Sequence, residues 1–147
     1  MRLGLAERMG ADLMLNVDRD AVVSSILAAT DGNGVDAMLE MSGSPGAYRD
    51  GFEALANGGR VALLGIPSKP LELDAAKEII FRGATVQGIN GRLIFDTWFR
   101  MEALLLSGKL DIRPVITHVL GWEEFDRAVE LQRSGKAGKI VLKRDHP

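Results

Sequence analysis

Gly32, Gly34 and Ala37 stand at Gly-x-Gly-x-x-Ala spacing, the pattern of a turn that cradles a dinucleotide pyrophosphate. Such a turn leaves a strand and opens a helix, so that free backbone N–H groups and the positive helix end meet the phosphate. Here the order is reversed. The preceding "AVVSSILAAT" puts Val22, Val23, Ile26 and Leu27 at helical spacing, and the following "VDAMLEM" is an apolar run of strand length. The two glycines therefore read as a helix-to-strand connection. Other reactive side chains are sparse. The absence of Cys excludes a thiolate zinc site and a cysteine nucleophile, and His118 and His146 are the only histidines. His118 has no second histidine or carboxylate at ligand spacing and reads as structural. Asp36 and Glu40 share one strand without lying side by side as a paired acid and base. A hydrogen bond from the following turn is the expectation for Glu40. Arg92 either faces an anion or pairs with Asp96, four residues on.

What remains is a set of strand ends. "EMSGS", "LLGIP" and "QGINGR" each close an apolar run with glycine, where backbone can approach a ligand closely. In an open parallel sheet ligands bind beyond the carboxyl ends of the strands. If these strands are neighbours, their ends form one lip suited to a planar amide.

The elements that would position the lip alternate helix and short strand, the pattern of a parallel α/β sheet. The chain opens in a helix, "RLGLAERMGA", with Leu3, Leu5, Ala6 and Met9 on its apolar face and Gly10 as a stop. A strand is expected at "LMLNV", then a helix capped by Asp20 and running to about Thr30, then a strand over 35–41. Ser44 as N-cap and Pro45 at the first position open the next helix. Tyr48, Phe52 and Leu55 line one face of it, and Asn57, Gly58 and Gly59 end it. "RVALLGI" is apolar on both faces, as in a strand covered by helices on both sides. A short helix in "DAAKEIIFRG" leads to a strand at "TVQGI". Beyond residue 90 come a helix in "LIFDTWFRMEALLLSG", a strand in "PVITHVL", a helix in "EEFDRAVELQRSG" and a strand in "KIVLK". Phe125, Ala128, Val129 and Leu131 are expected on the buried side of the last helix, and Trp98 and Trp122 in the core or at a subunit contact.

Composition narrows the partners. A formal net charge of −2 with 26% charged residues, and no basic run, argues against nucleic acid. No apolar run approaches the roughly 18–20 residues that span a bilayer, and the N-terminus does not read as a signal peptide. A cytoplasmic protein is expected. A hydrophobic share of 46% over 147 residues is enough for a buried core.

The run "GVDAMLEMSGSPGAYRDGFEALANGGRVALLGIPSKP", with "IIFRGATVQGINGRLIFDTW" and "SGKLDIRPVITH", resembles the C-terminal part of the zinc-dependent, medium-chain L-threonine 3-dehydrogenases, over nearly all of the chain. The resemblance implies an α/β fold: an incomplete Rossmann domain, a doubly wound parallel sheet, over residues 1–90, followed by the return of a catalytic domain over residues 91–147. It implies NAD as cofactor, with Leu64, Gly65 and Ile66 on its nicotinamide side, Ile89 and Asn90 at its carboxamide and Arg2 near the adenosine ribose. Asn90 stands where the family often has an aromatic, and Val119 where a basic residue usually follows. The family's glycine-rich turn, the first two Rossmann strands and the zinc ligands precede the matched region, so the resemblance implies no zinc ligand and no catalytic residue in this chain. The intact enzyme would oxidise L-threonine to 2-amino-3-oxobutanoate with NAD, and the isolated chain is expected to be inactive. "LMLNV" is then expected either to pair directly with the 35–41 strand or to join another chain. A homo-oligomer through the edge strand from Thr85 to Ile89 is expected too. Two other readings stand beside this one: a different medium-chain alcohol or polyol dehydrogenase, and a non-catalytic α/β oligomerisation module.

Overall fold

The computed structural model describes residues 1–144. The chain divides into two compact units, residues 16–92 and residues 1–15 together with the chain from Leu93 onward. Helix α1 (Arg2–Arg8) belongs to the latter, buries Leu5 and ends before Gly10, which takes a φ of 90°.

Residues 16–92 hold α2 (Val22–Ala29), β1 (Val35–Glu40), α3 (Pro45–Glu53), β2 (Leu55–Leu63), a π-helical turn (Ala76–Ile80) and β3 (Thr85–Gly88). The three strands are parallel in the order β1-β2-β3. Gly32 and Gly34 connect α2 to β1, at φ values of 81° and 84°, as their flanking sequence predicts. Gly34 could hold no other residue. A Cβ there would strike the Ala54 carbonyl at the start of β2.

Register places Met38 beside Val61 and Val61 beside Val86, so these share one face. Met38, Phe52, Leu55 and Val61 form the core of that face, with Val35, Tyr48, Leu63, Ile79 and Ala84 packed against it. Fully burying side chains of this size stabilises by roughly 1.5–3 kcal/mol each. Arg82 ties the π-helical turn to this core. Its guanidinium donates to the carbonyls of Leu55 and Glu53 and stands 3.4 Å from the Glu78 carboxylate.

Several sequence expectations change here. Residues 13–17 form no strand. Asn16 instead organises a turn, its side chain accepting the Asp18 N–H and its carbonyl accepting the N–H groups of Arg19 and Asp20. Side chains of this type draw the backbone away from a ladder. The expected direct pairing with β1 is therefore not made, and β1 keeps an open edge. Asp20 does not cap α2. Its carboxylate accepts the Asn16 N–H at 2.6 Å, and Ala21 takes the N-cap position. Helix α3 begins at Pro45 after Ser44, as expected, but it stops at Ala54, so Leu55 and the Asn57-Gly58-Gly59 stretch lie inside β2. There they form a bulge. Val35 pairs with Leu55 and Ala37 with Arg60, so β2 advances farther than β1 between the two pairs. Nor is the sheet covered on both faces, since Leu39, on the face opposite the core, is 68% exposed, and Met41 beyond it is exposed too.

The other unit holds, besides α1, helix α4 (Asp96–Leu106), β4 (Ile116–Gly121), α5 (Phe125–Arg133) and β5 (Lys139–Lys143), with β4 and β5 parallel. Leu120, Ala128 and Ala137 are buried. Ala128 is on the expected face of α5, whereas Phe125 is exposed and rests against the equally exposed Trp122, ring centroids 6.4 Å apart. Trp98 is also exposed, edge-on to Phe95. Neither tryptophan packs in a core of this chain.

Candidate functional site

Parallel pairing sets Glu40, Leu63 and Gly88 abreast, so the carboxyl ends of β1, β2 and β3 lie side by side. The lip expected from the three glycine-bearing segments is formed. Its turns are joined by main-chain hydrogen bonds: Leu64 and Gly65 donate to the Glu40 carbonyl at 2.9 and 3.0 Å, and Ile89 donates to the Leu63 carbonyl at 2.9 Å.

The Glu40 side chain fastens the first turn, and its backbone carbonyl the second. It is 3% exposed, and a buried carboxylate is stable only if its lone pairs are satisfied. They are. Oε1 accepts the Ser42 N–H at 2.9 Å and the Ser42 hydroxyl at 2.5 Å, and both carboxylate oxygens accept the Gly43 N–H at 3.0 Å. Burial alone would raise its pKa, but the Ser42 hydroxyl and the N–H groups of Gly43 and Ser42 outweigh burial and hold the carboxyl below its ordinary value. From α3, the Tyr48 hydroxyl donates to the Gly65 carbonyl at 2.8 Å. Burial, then the negative charge of Glu40, push this phenol up.

Two glycines make the close approach possible. A Cβ on Gly65 would run into Gly43 N and the Glu40 carboxylate, and one on Gly43 would run into the Ile66 carbonyl, with Gly43 itself at a φ of 70°. The turns after β1 and β2 thus interlock through backbone that tolerates no side chain.

Five of the six sequence-predicted cofactor residues come together here. Leu64, Ile66, Ile89 and Asn90 are exposed along the lip, Ile66 to 90%, while Gly65 is half-buried in the interlock. Arg2 is exposed on α1, in the other unit. Glu40 makes the turn hydrogen bonds expected of it. The partnership of Ser42 and Tyr48 with it was not foreseen, although the Glu-x-Ser-Gly string after an apolar strand carried the signal for Ser42. Asp96 pairs with Arg100, one helical turn onward, at 3.0 Å.

Among the described residues no group of three His, Cys, Asp or Glu side chains could hold a metal ion. His118 Nδ1 is engaged 2.9 Å from the Thr117 hydroxyl, which also accepts the Gly138 N–H. His146 lies outside the described residues. The donor set therefore does not fit a zinc centre. Among the described residues no helix is long and apolar enough to cross a membrane.

Comparison with known proteins finds relatives of the chain. The zinc-binding dehydrogenase family matches residues 1–107. The chain is 45% identical over 141 residues to an L-threonine 3-dehydrogenase of Bacillus licheniformis, covering 96% of this chain and 41% of that protein. It is 45% identical over 142 residues to the L-threonine 3-dehydrogenase of Pyrococcus furiosus, with the same coverage of 96% and 41%. An alcohol dehydrogenase crystal structure from Thermotoga maritima superposes with a TM-score of 0.84 at 31% identity, covering 98% of this chain and 40% of the other. This chain spans about two fifths of the length of these relatives.

Proposed function

The chain belongs to the zinc-binding dehydrogenase family, and from that premise we propose that it is the nicotinamide-facing part of an NAD-dependent oxidoreductase acting on L-threonine. The observation that carries this reading is the lip: three parallel strand ends whose turns are locked together while Leu64, Ile66, Ile89 and Asn90 stay exposed. Leu64, Gly65 and Ile66 form the apolar rest for a planar ring, Ile89 and Asn90 face its carboxamide, and Arg2 attends the adenosine ribose. NAD supplies the hydride acceptor when bound. The chain's own residues position it.

In this reading residues 1–90 are part of an NAD-binding domain and residues 91–147 part of a catalytic domain of a cytoplasmic enzyme. The 147-residue chain alone does not oxidise threonine, because its described residues offer no group of three His, Cys, Asp or Glu side chains to hold a metal ion. It assembles into a homo-oligomer through β3. Ile89 turns its N–H inward to Leu63, so by strand alternation the N–H groups of Val86 and Gly88 face outward, ready to pair with a second copy.

The test is a fluorescence titration with NADH. Saturable binding is expected, weakened about tenfold, ~1.4 kcal/mol, by Ile66→Asp, a change at a side chain too exposed to disturb folding. Equal binding by the chain and this variant overturns the lip reading, and threonine-dependent NADH formation by the pure chain overturns the proposed inactivity. A second reading, a non-catalytic oligomerisation module, is favoured by the open edge of β1 and the uncovered Leu39. It is the better one if NADH does not bind and the chain associates with rising concentration.

A further inference from the structure

Glu40 is, with Glu78, one of two buried charged residues among the described residues, and its carboxylate faces no cation. Its hydrogen-bond donors are Ser42 and Gly43 of the turn after β1, with Tyr48 beside them. A buried charge committed entirely to local N–H and O–H donors is a device for fixing backbone, since each donor it holds is one that the turn cannot release to water. We propose that Glu40 is the positioning residue of the lip: its carboxylate holds the Ser42 and Gly43 turn against Gly65, with Tyr48 gripping the Gly65 carbonyl from the other side, and so sets the attitude in which Leu64 and Ile66 meet a planar ring.

The geometry is cooperative. The Gly43 N–H bonds the carboxylate, and a Cβ on Gly43 would strike the Ile66 carbonyl; a Cβ on Gly65 would strike Gly43, Ser42 and Glu40 at once. Releasing the carboxylate therefore frees the Ser42 and Gly43 turn against which Gly65 packs, while the strands behind it keep their own ladder. The choice of acid follows from the donors. A Gln side chain at this place offers one acceptor oxygen, and its amide group would confront an N–H or O–H that needs an acceptor. Neutral Gln has nearly the shape of Glu and lacks the function.

This proposal deepens the reading of the lip as a nicotinamide rest and depends on it only for the identity of the ligand. Its test combines residue-resolved amide exchange with NADH titration, on the full chain, for Glu40→Gln and Tyr48→Phe. In Glu40→Gln the Gly43 amide should exchange at least tenfold faster while Val61, in the middle of β2, keeps its protection. NADH affinity should fall about tenfold at a temperature where the Val61 signal shows the sheet intact. Tyr48→Phe should move the Gly65 carbon resonance and weaken NADH less. If Gly43 and Val61 lose protection together, Glu40 supports the whole sheet and the positioning role is overturned. If Glu40→Gln binds NADH as tightly as the parent, it is overturned as well. If the parent binds no NADH yet Gly43 alone loses protection, the cofactor reading fails and the clamp stands. Should Glu40→Gln not fold, Ser42→Ala removes one donor and leaves the charge; a Gly43 amide unchanged in that variant overturns the proposal.

Discussion

Residues 16–92 and helix α4 spend similar apolar side chains in opposite ways. In the first, Phe52 is 2% exposed and lies on Met38, Leu55 and Val61. In the second, Trp98, Phe99, Met101, Leu104, Leu105 and Leu106 stand on one helix with no residue buried. Both stretches form regular hydrogen-bonded elements, so local structure does not separate them. The difference is a partner. Strand β2 lies between β1 and β3 and gives α3 a surface to cover, whereas α4 carries an apolar pattern that this chain leaves in water. An amphipathic pattern thus records that a face is suited to burial, not that the chain holding it does the burying.

The contrast can be broken most directly by truncating one phenylalanine on each side. Phe52→Ala should destabilise by roughly 3–5 kcal/mol, and Phe99→Ala, at a residue 66% exposed, should stay within about 0.5 kcal/mol. Urea unfolding at low protein concentration measures both. A large cost at Phe99 would mean that α4 is covered in solution.

Glycines sharpen the contrast on a smaller scale. Gly65→Ala, which has no room for a Cβ, should cost roughly 1–3 kcal/mol by overpacking and abolish NADH binding. Gly108→Ala, beyond α4 at a φ of 69° with nothing near its Cβ, should cost only the backbone strain, about 1 kcal/mol, read from the thermal midpoint. Equal costs would mean that the interlock of the lip is looser than its geometry.

Acid should separate the regions next. The Glu40 carboxyl is held below its ordinary value of 4.5, so its contribution is complete above that pH and is lost as the pH falls through its lower folded value. Amide exchange at Ser42 and Gly43 should accelerate in that window while β4 and β5 keep their protection. Uniform loss across both regions would contradict this.

The smallest effect is local to the other unit. Exposed Asp111 is drawn to about 2, chiefly by its side-chain hydrogen bond with Arg113. Arg113→Ala should return it to near 3.8, its ordinary value, in an NMR titration, with no measurable shift in the unfolding midpoint.

Much of this architecture was legible in the residues. The reversed order of helix and strand around Gly32 and Gly34 excluded a phosphate turn there, and Ser44 with Pro45 marked the start of α3. Three glycine-bearing strand ends announced the lip. The misreadings cluster where a side chain or a neighbour decides. Asn16 converted an apolar run with strand spacing into a turn, and Asn57-Gly58-Gly59, a plausible helix stop, became a bulge because β1 offered a ladder to pair with.

The amino-acid sequence by itself determined the alternation of elements and the identity of the groups at the strand ends, because periodicity, capping and turn preference act over a few residues, and its resemblance to known strings pointed to the family. Only the tertiary structure decided that Ser42 and Tyr48 close around Glu40, that Gly43 and Gly65 press backbone to backbone, and that Leu39 and α4 stay in water. Those outcomes depend on which surfaces meet across long separations in the chain, and burial, unlike propensity, is a property of the pair.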